Sequence, residues 1–277
     1  MIRNRVGFAL YNLAVWALVL AVAFPLMWML STALKPNDET FAIPVRLLPV
    51  HPTLDQFRRL LTETPFLTYF GNSVIVALST TAVVIVVAVA GAYGLVRFRF
   101  PGRSLIAHLV LFTYMLPAVV LLLPLYLTIS RLGLANSLLG LVIAYTTFAL
   151  PFALWLLRSF IASVPVELEQ AAMIDGAGRL EAFVEIVLPQ ALPGIISTAL
   201  FSFILSWNEY LYGLVFINVD DRKTLPPGVL TMLNQNQNVE WALLMAAAVL
   251  MTVPVLICFA FLQKHLTRGF GVGGVKG

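Results

Sequence analysis

Few side chains in this 277-residue chain can do chemistry, and their spacing excludes most reactions. The three histidines stand at 51, 108 and 265, too scattered for a metal centre. Neither H-E-x-x-H nor G-x-S-x-G occurs, so no metal site and no catalytic residue are expected. Cys258 is the single cysteine; it lies in an apolar run and reads as a small packing residue. Gly273-Gly274-Val275-Lys276 lacks the G-x4-G-K-[ST] spacing of a phosphate-binding loop. No Asp or Glu falls in the middle of an uncharged run, where a proton- or sodium-coupled carrier usually needs one. Glu209, in Ser206-Trp207-Asn208-Glu209-Tyr210, comes closest. Counted from about Gln190 it lies roughly 28 Å along a helix, near the far end of a span. Two readings stand for Trp207, Asn208, Glu209 and Tyr210: an interfacial anchor, or contact with a passing solute.

The richest polar pattern is 165–189, PVELEQAAMIDGAGRLEAFVEIVLP. It carries the acids Glu167, Glu169, Asp175, Glu181 and Glu185 and the base Arg179, between two long uncharged runs. The spacing predicts two short helices and a bend. Ser163 can cap the first and Pro165 suits its first turn. Glu167 and Glu169 then face the positive end of the helix dipole. Gly176 is the terminator, because glycine reaches the left-handed region without a Cβ clash. Leu180, Phe183, Val184, Val187 and Leu188 form one apolar stripe on the second helix, and Pro189 marks a break. Each arm of about 11 residues is about 16 Å long.

The elements that position this elbow span a membrane. The chain is 60% hydrophobic and 11% charged, with a mean hydropathy of +0.94. A soluble domain has roughly 25% charged residues. The excess of four positive charges is too small to suggest nucleic acid. Uncharged runs of spanning length occupy 6–34, 72–96, 104–130, 132–157, 186–208 and 242–263, with His108 the one titratable residue among them apart from Cys258 and the tyrosines. The first is too long for a signal peptide. The turn between the third and fourth runs through 133–137. Between the first two lies a proline-bearing polar segment, 35–68, read as lying along the outer membrane surface.

Six spans put both termini on one side. Arg97, Arg99 and Arg103 crowd a short loop without an acid, so that loop is expected in the cytoplasm, with the elbow and both termini. That side then holds Arg3, Arg5, Arg97, Arg99, Arg103, Arg158, Arg179, Lys264, Arg268 and Lys276. Pro25, Pro117, Pro124, Pro151, Pro193 and Pro254 fall inside spans. They are either the ordinary proline content of membrane helices or kinks that open backbone toward a pathway. The outer loop 218–240, with Asp220, Asp221 and the NQNQN run at 234–238, is either a solvated connector or a contact for a partner.

The elbow resembles the EAA loop of permease subunits of ATP-binding-cassette importers, E-A-A-x3-G-x9-I-x-L-P. Here stand Gln170-Ala171-Ala172, three residues, Gly176, nine residues, Ile186, Val187 and Leu188-Pro189. The departure is Gln170 in place of glutamate, with Glu169 beside it. Ser31-Thr32-Ala33-Leu34-Lys35-Pro36, Asn72-Ser73, 97–103, Trp207-Asn208-Glu209-Tyr210 and Val275-Lys276-Gly277 extend the likeness to the six-helix permease of maltose-type carbohydrate importers. The resemblance implies an all-α membrane protein of six transmembrane helices, the type I importer permease fold. The first helix and external segment occupy 1–70, the transport domain 71–264 with its loop at 163–189, and a cytoplasmic tail 265–277. It implies a bacterial or archaeal cytoplasmic membrane, a second homologous permease, two ATPase subunits and an external solute-binding protein. ATP and Mg belong to the ATPase partner, with no cofactor on this chain. The coupling residues it implies are Glu169, Gln170, Ala171, Ala172, Asp175, Gly176, Ile186, Leu188 and Pro189. The competing reading is a gradient-driven carrier or channel; a membrane enzyme lacks its motifs.

Overall fold

The computed structural model describes residues 2–235 and 240–270, with the side chains of 7–232 and 240–261. In chain order the helices are α1 (Ile2–Ala33), α2 (Asn37–Thr40), α3 (Asp55–Glu63), α4 (Phe66–Arg97), α5 (Arg103–Tyr114) and α6 (Ala118–Arg131). There follow α7 (Leu138–Ser163), α8 (Val166–Ile174), α9 (Arg179–Ala182), a π turn (Phe183–Val187) and α10 (Leu188–Trp207). The last are α11 (Leu211–Phe216), a 3-10 turn (Asp220–Arg222), α12 (Leu225–Gln235) and α13 (Trp241–Phe270). The expected contributions of Lys276, the NQNQN stretch from 236 on and Val275-Lys276-Gly277 lie outside the described residues.

Among the described residues, five helical stretches are each long and apolar enough to cross a bilayer: Gly7–Ala33, Phe66–Arg97, Leu138–Ser163, Arg179–Trp207 and Trp241–Phe261. The sixth expected span is a pair, α5 and α6, bent by 101°. Pro117 causes the break: it has no N–H to continue α5, and it disfavours helical backbone at the preceding residue. Gly133 and Asn136 take positive φ, +74° and +56°, which makes the expected turn before α7. Ser137 then caps α7, its hydroxyl accepting from the Gly140 N–H at 3.0 Å.

The chain divides into two compact units. In the first, Met1–Leu67 with Gly228–Pro254, the end of α1 folds the following segment back on itself. Ser31 donates to the Leu47 carbonyl, Lys35 Nζ donates to the Arg46 carbonyl at 2.7 Å, and the Leu34 carbonyl accepts from Thr53 at 2.9 Å. Lys35 also lies over the Trp28 ring at 5.0 Å, so its charge is satisfied although the residue is buried. Arg59 of α3 grips both oxygens of Glu240 at 2.6 and 3.1 Å, and Asn37 donates to the same carboxylate at 3.0 Å. The Arg59 hydrogen bonds outweigh partial burial and, with Asn37, hold Glu240 below the ordinary carboxylate range. A depressed carboxylate stabilises the fold above its unfolded pKa and loses that contribution as pH falls through its folded value. Pepsin cleavage between residues 54 and 64, scaled to the unfolded chain, should therefore rise with acidification. In Arg59→Met it should be fast throughout and lose this pH response.

The second unit, Thr68–Pro227 with Val255–Gly277, has a core rich in small residues. Ala88, Ala92, Ala107, Ala149, Ala153 and Ala191 are buried among Val84, Leu157 and Ile161. Small side chains let membrane helices approach closely, which is the main source of packing energy where lipid is as apolar as leucine. Gly194 marks the tightest approach: a Cβ there would run into the Phe160 ring. At the other end of α4, Asn72 Nδ2 donates to the carbonyls of Asp221 and Lys223, both at 2.9 Å, and Ser73 Oγ accepts from the Leu225 N–H at 2.7 Å. Within the segment expected as a polar loop at 218–240, residues 225–235 are helical. Leu225, at the start of α12, is buried.

Candidate functional site

The elbow is a built structure, and hydrogen bonds account for its turn. Helix α8 ends in a Schellman motif: the Gly176 N–H donates to the Met173 carbonyl at 3.3 Å and the Ala177 N–H to Ala172 at 3.0 Å. Gly176 takes φ +102°, the left-handed conformation this motif needs. Gly178, at φ −66°, precedes α9, and its N–H donates to the Glu181 carboxylate at 3.2 Å. Ser163 does not cap α8. It is the last residue of α7 and its hydroxyl donates back to Phe160 at 2.7 Å, leaving Pro165 at the capping position.

The second arm departs from a regular helix. Leu188 donates to the Phe183 carbonyl, five residues back, across the π turn. Pro189 follows and cannot donate, so the widened turn absorbs the missing bond and the helix runs on from Arg179 to Trp207 without a break. The extra residue per turn splits the expected apolar stripe. Phe183 and Val187 turn inward, whereas Val184 is exposed and Leu180 is 74% exposed. Across the bend Ile174 is 86% exposed.

Glu169 points away from that outer surface. Its Oε2 accepts from Arg97 Nε at 2.7 Å and its Oε1 from the Tyr93 hydroxyl. The Arg97 and Glu169 side chains are 6% and 5% exposed. Arg97 Nη2 also donates to the Val164 carbonyl at 2.9 Å, at the junction of α7 and α8. The Tyr93 ring lies 4.4 Å from Phe183, and the Arg179 guanidinium lies over Phe98 at 5.2 Å. One end of α4 therefore touches both arms of the elbow. Gln170, Ala171, Asp175, Gly176 and Pro189 are exposed, and Ala172, Ile186 and Leu188 are half-buried.

Sequence reasoning placed Arg97 among loop charges that set orientation. The fold spends that charge on Glu169, leaving Arg99 exposed and Arg103 half-buried, its Nη1 donating to Phe98 at 3.3 Å. Tyr93 and Ile174 were not singled out, and Leu180 was expected in the inward apolar stripe. Helical spacing put Leu180 and Val184 on the inward stripe, whereas the structure leaves both exposed.

The structure also separates the four residues at the end of α10. Glu209 accepts from the Tyr212 and Gly213 N–H groups at 2.9 and 3.0 Å, capping α11 at its positive end. Trp207 is buried between Phe70 and Phe203, with ring centroids at 5.5 and 5.7 Å. Asn208 is exposed and donates to the Ile204 carbonyl at 3.0 Å; Tyr210 is half-buried. The carboxylate is committed to backbone, which favours the anchoring role.

The family described as "Binding-protein-dependent transport system inner membrane component" matches residues 84–272. The diacetylchitobiose uptake system permease protein DasC of Streptomyces coelicolor is 35% identical over 277 residues, all of both chains. The trehalose/maltose transport system permease protein MalG of Thermococcus litoralis is 32% identical over 269 residues, 96% of each chain. A chain of a bacterial ABC transporter that imports the acidic polysaccharide alginate superposes with a TM-score of 0.79 at 22% identity. That alignment covers 94% of this chain and 96% of the other.

Proposed function

Because the chain belongs to the inner membrane components of binding-protein-dependent transport systems, we propose that it forms half of the pathway for a di- or oligosaccharide, driven by separate ATPase subunits. The observation that carries this reading is the elbow: a capped, two-armed element between two spans, with Ile174 and Leu180 turned outward. A chain that neither holds a phosphate-binding loop nor presents mid-span carboxylates needs an outside motor, and this surface offers it a place to dock. Gln170, Ala171, Ala172, Asp175 and Gly176 lie on or beside that docking face, with Ile186, Leu188 and Pro189 seating the second arm. Glu169 serves from behind. The substrate class rests on relatives named for diacetylchitobiose and for trehalose and maltose, aligned over nearly the whole chain.

The assembly comprises a second homologous permease, two ATPase subunits that bind ATP and Mg, and an external solute-binding protein. It sits in a bacterial or archaeal cytoplasmic membrane, with the elbow and both termini inside. Residues 71–264 are the transport domain, with 1–70 and the tail 265–277 appended. The test is to purify the tagged chain from its native host and to assay the reconstituted complex with tritiated trehalose, maltose and diacetylchitobiose. ATPase subunits should co-purify, and one of these sugars should enter on ATP addition. In the same cells, a thiol at position 178 should resist an impermeant label that reaches one at position 51. An isolated chain that transports down a sodium or proton gradient without any ATPase would replace this reading with the gradient-driven one.

A further inference from the structure

We propose that α4 is a rod that ties the elbow to the outer loop at 221–225, so that one rigid helix meets both docking surfaces. This rests on the reading of the elbow as the ATPase-coupling element. Chain continuity already joins the elbow to α7 and α10; α4 is joined to it only by side chains. Those contacts reach both arms. Glu169 of the first arm is held by Arg97 and Tyr93, and Phe183 of the second packs on Tyr93 at 4.4 Å. A single ion pair is a pivot, whereas attachment at two arms fixes orientation.

The charges make the attachment stiff. Separating Arg97 from Glu169 would leave either ion uncompensated where water does not reach, and the interior dielectric makes that costly. A displacement of the elbow therefore carries the end of α4 with it. The other end of α4 is tied by three hydrogen bonds to a different segment: Asn72 to the carbonyls of Asp221 and Lys223, and Ser73 to the Leu225 N–H. From Asn72 to Arg97 the helix is about 37 Å long, more than the roughly 30 Å hydrocarbon core. Along its length Ala88 and Ala92 are buried and Gly91 faces Leu154, so the rod is packed as one body. Rigid-body displacement of a packed helix is an established way to carry a signal across an interface. The outer segment has the polar Asp220, Asp221 and Lys223 with which a loaded binding protein can be sensed.

The experiment uses the whole complex in proteoliposomes, with tritiated trehalose, maltose or diacetylchitobiose, whichever the wild type imports. The readout is sugar imported per ATP hydrolysed. In a Cys258→Ser background, Arg97→Cys with Glu169→Cys should lower that ratio at least fivefold. Bridging the two thiols with a short bis-methanethiosulfonate should restore most of it, because a covalent link replaces the ion pair. At the outer end, Asn72→Ala with Ser73→Ala should lower the ratio by a similar factor. Combining both ends should cost less than twofold beyond either alone, since each break severs the same rod. A bridged complex that imports less than the unbridged one would show that α4 must part from the elbow, and would overturn the proposal. So would multiplicative losses, or a normal ratio in the outer variant, which decides the matter even where the cysteine pair fails to accumulate. A wild type that captures ATPase and imports sugar, beside variants that do the same, defeats the rod alone. A wild type that does neither defeats the functional reading and the rod with it.

Discussion

Gly176→Val should reach the membrane in normal amount and import at a small fraction of the wild-type rate, while Gly178→Ala stays close to wild type. The difference lies in backbone conformation. Gly176 sits at φ +102°, where a β-branched residue is badly strained; Gly178 sits at φ −66°, which alanine adopts freely. A Cβ at either position meets nothing within 4 Å, so no steric clash confuses the comparison. The strain is on the order of 1–3 kcal/mol. That is small against the packing of the second unit, whose core lies among α4, α7 and α10. It is the same size as the two hydrogen bonds that close α8, to Met173 and Ala172, each worth about 1 kcal/mol net. The variant therefore relaxes by opening the Schellman turn, and Ile174 leaves its place. Uptake, ATPase co-purification and membrane abundance, measured together, separate the cases. Undiminished uptake would remove the turn from the mechanism, and loss from the membrane would make Gly176 a folding residue.

The elbow was legible in the sequence because its determinants are local. A glycine that ends one helix and acids in its first turn need only their neighbours to act. The spans were legible for the same reason, as runs of apolar residues matched to a bilayer. What could not be read was set by contacts at long range. Arg97 and Glu169 are 72 residues apart, and nothing in either segment announces the partner. Read alone, Arg97 is one more positive charge in a short loop, and Glu169 one more acid near a helix start. The π turn was hidden for a different reason: Pro189 signals a missing hydrogen bond, which a chain can meet by breaking, kinking or widening a turn. The chain here widens, with Phe183 and Val187 turned inward. Pro117 posed the same choice and took the sharper outcome, a 101° bend, while Pro151 lies inside a continuous α7. Glu209 caps α11, a local contact that neither sequence reading of it named.

The outward apolar pair should matter as much as the turn between its members. Ile174→Asp with Leu180→Asp should abolish ATPase capture by the tagged permease and leave its abundance unchanged. Both side chains are largely exposed in this chain, so the substitutions cost its fold little; surface changes are usually within about 0.5 kcal/mol. Against a partner the account is different. Burying a leucine or isoleucine contributes about 1.5–3 kcal/mol, and an aspartate in the same place adds an uncompensated charge. Two such losses amount to at least about 3 kcal/mol, more than a hundredfold in affinity. Glu169 cannot make up for them, because its carboxylate is held inward by Arg97 and Tyr93. The neighbouring Gln170 presents a neutral amide at the surface where the family pattern has a charge. On the proposed docking role, apolar contact should carry more than a salt bridge, and capture by the wild type should be nearly insensitive to salt. Retention of ATPase subunits by the double aspartate variant, or their loss from the wild type in moderate salt, would reverse that assignment.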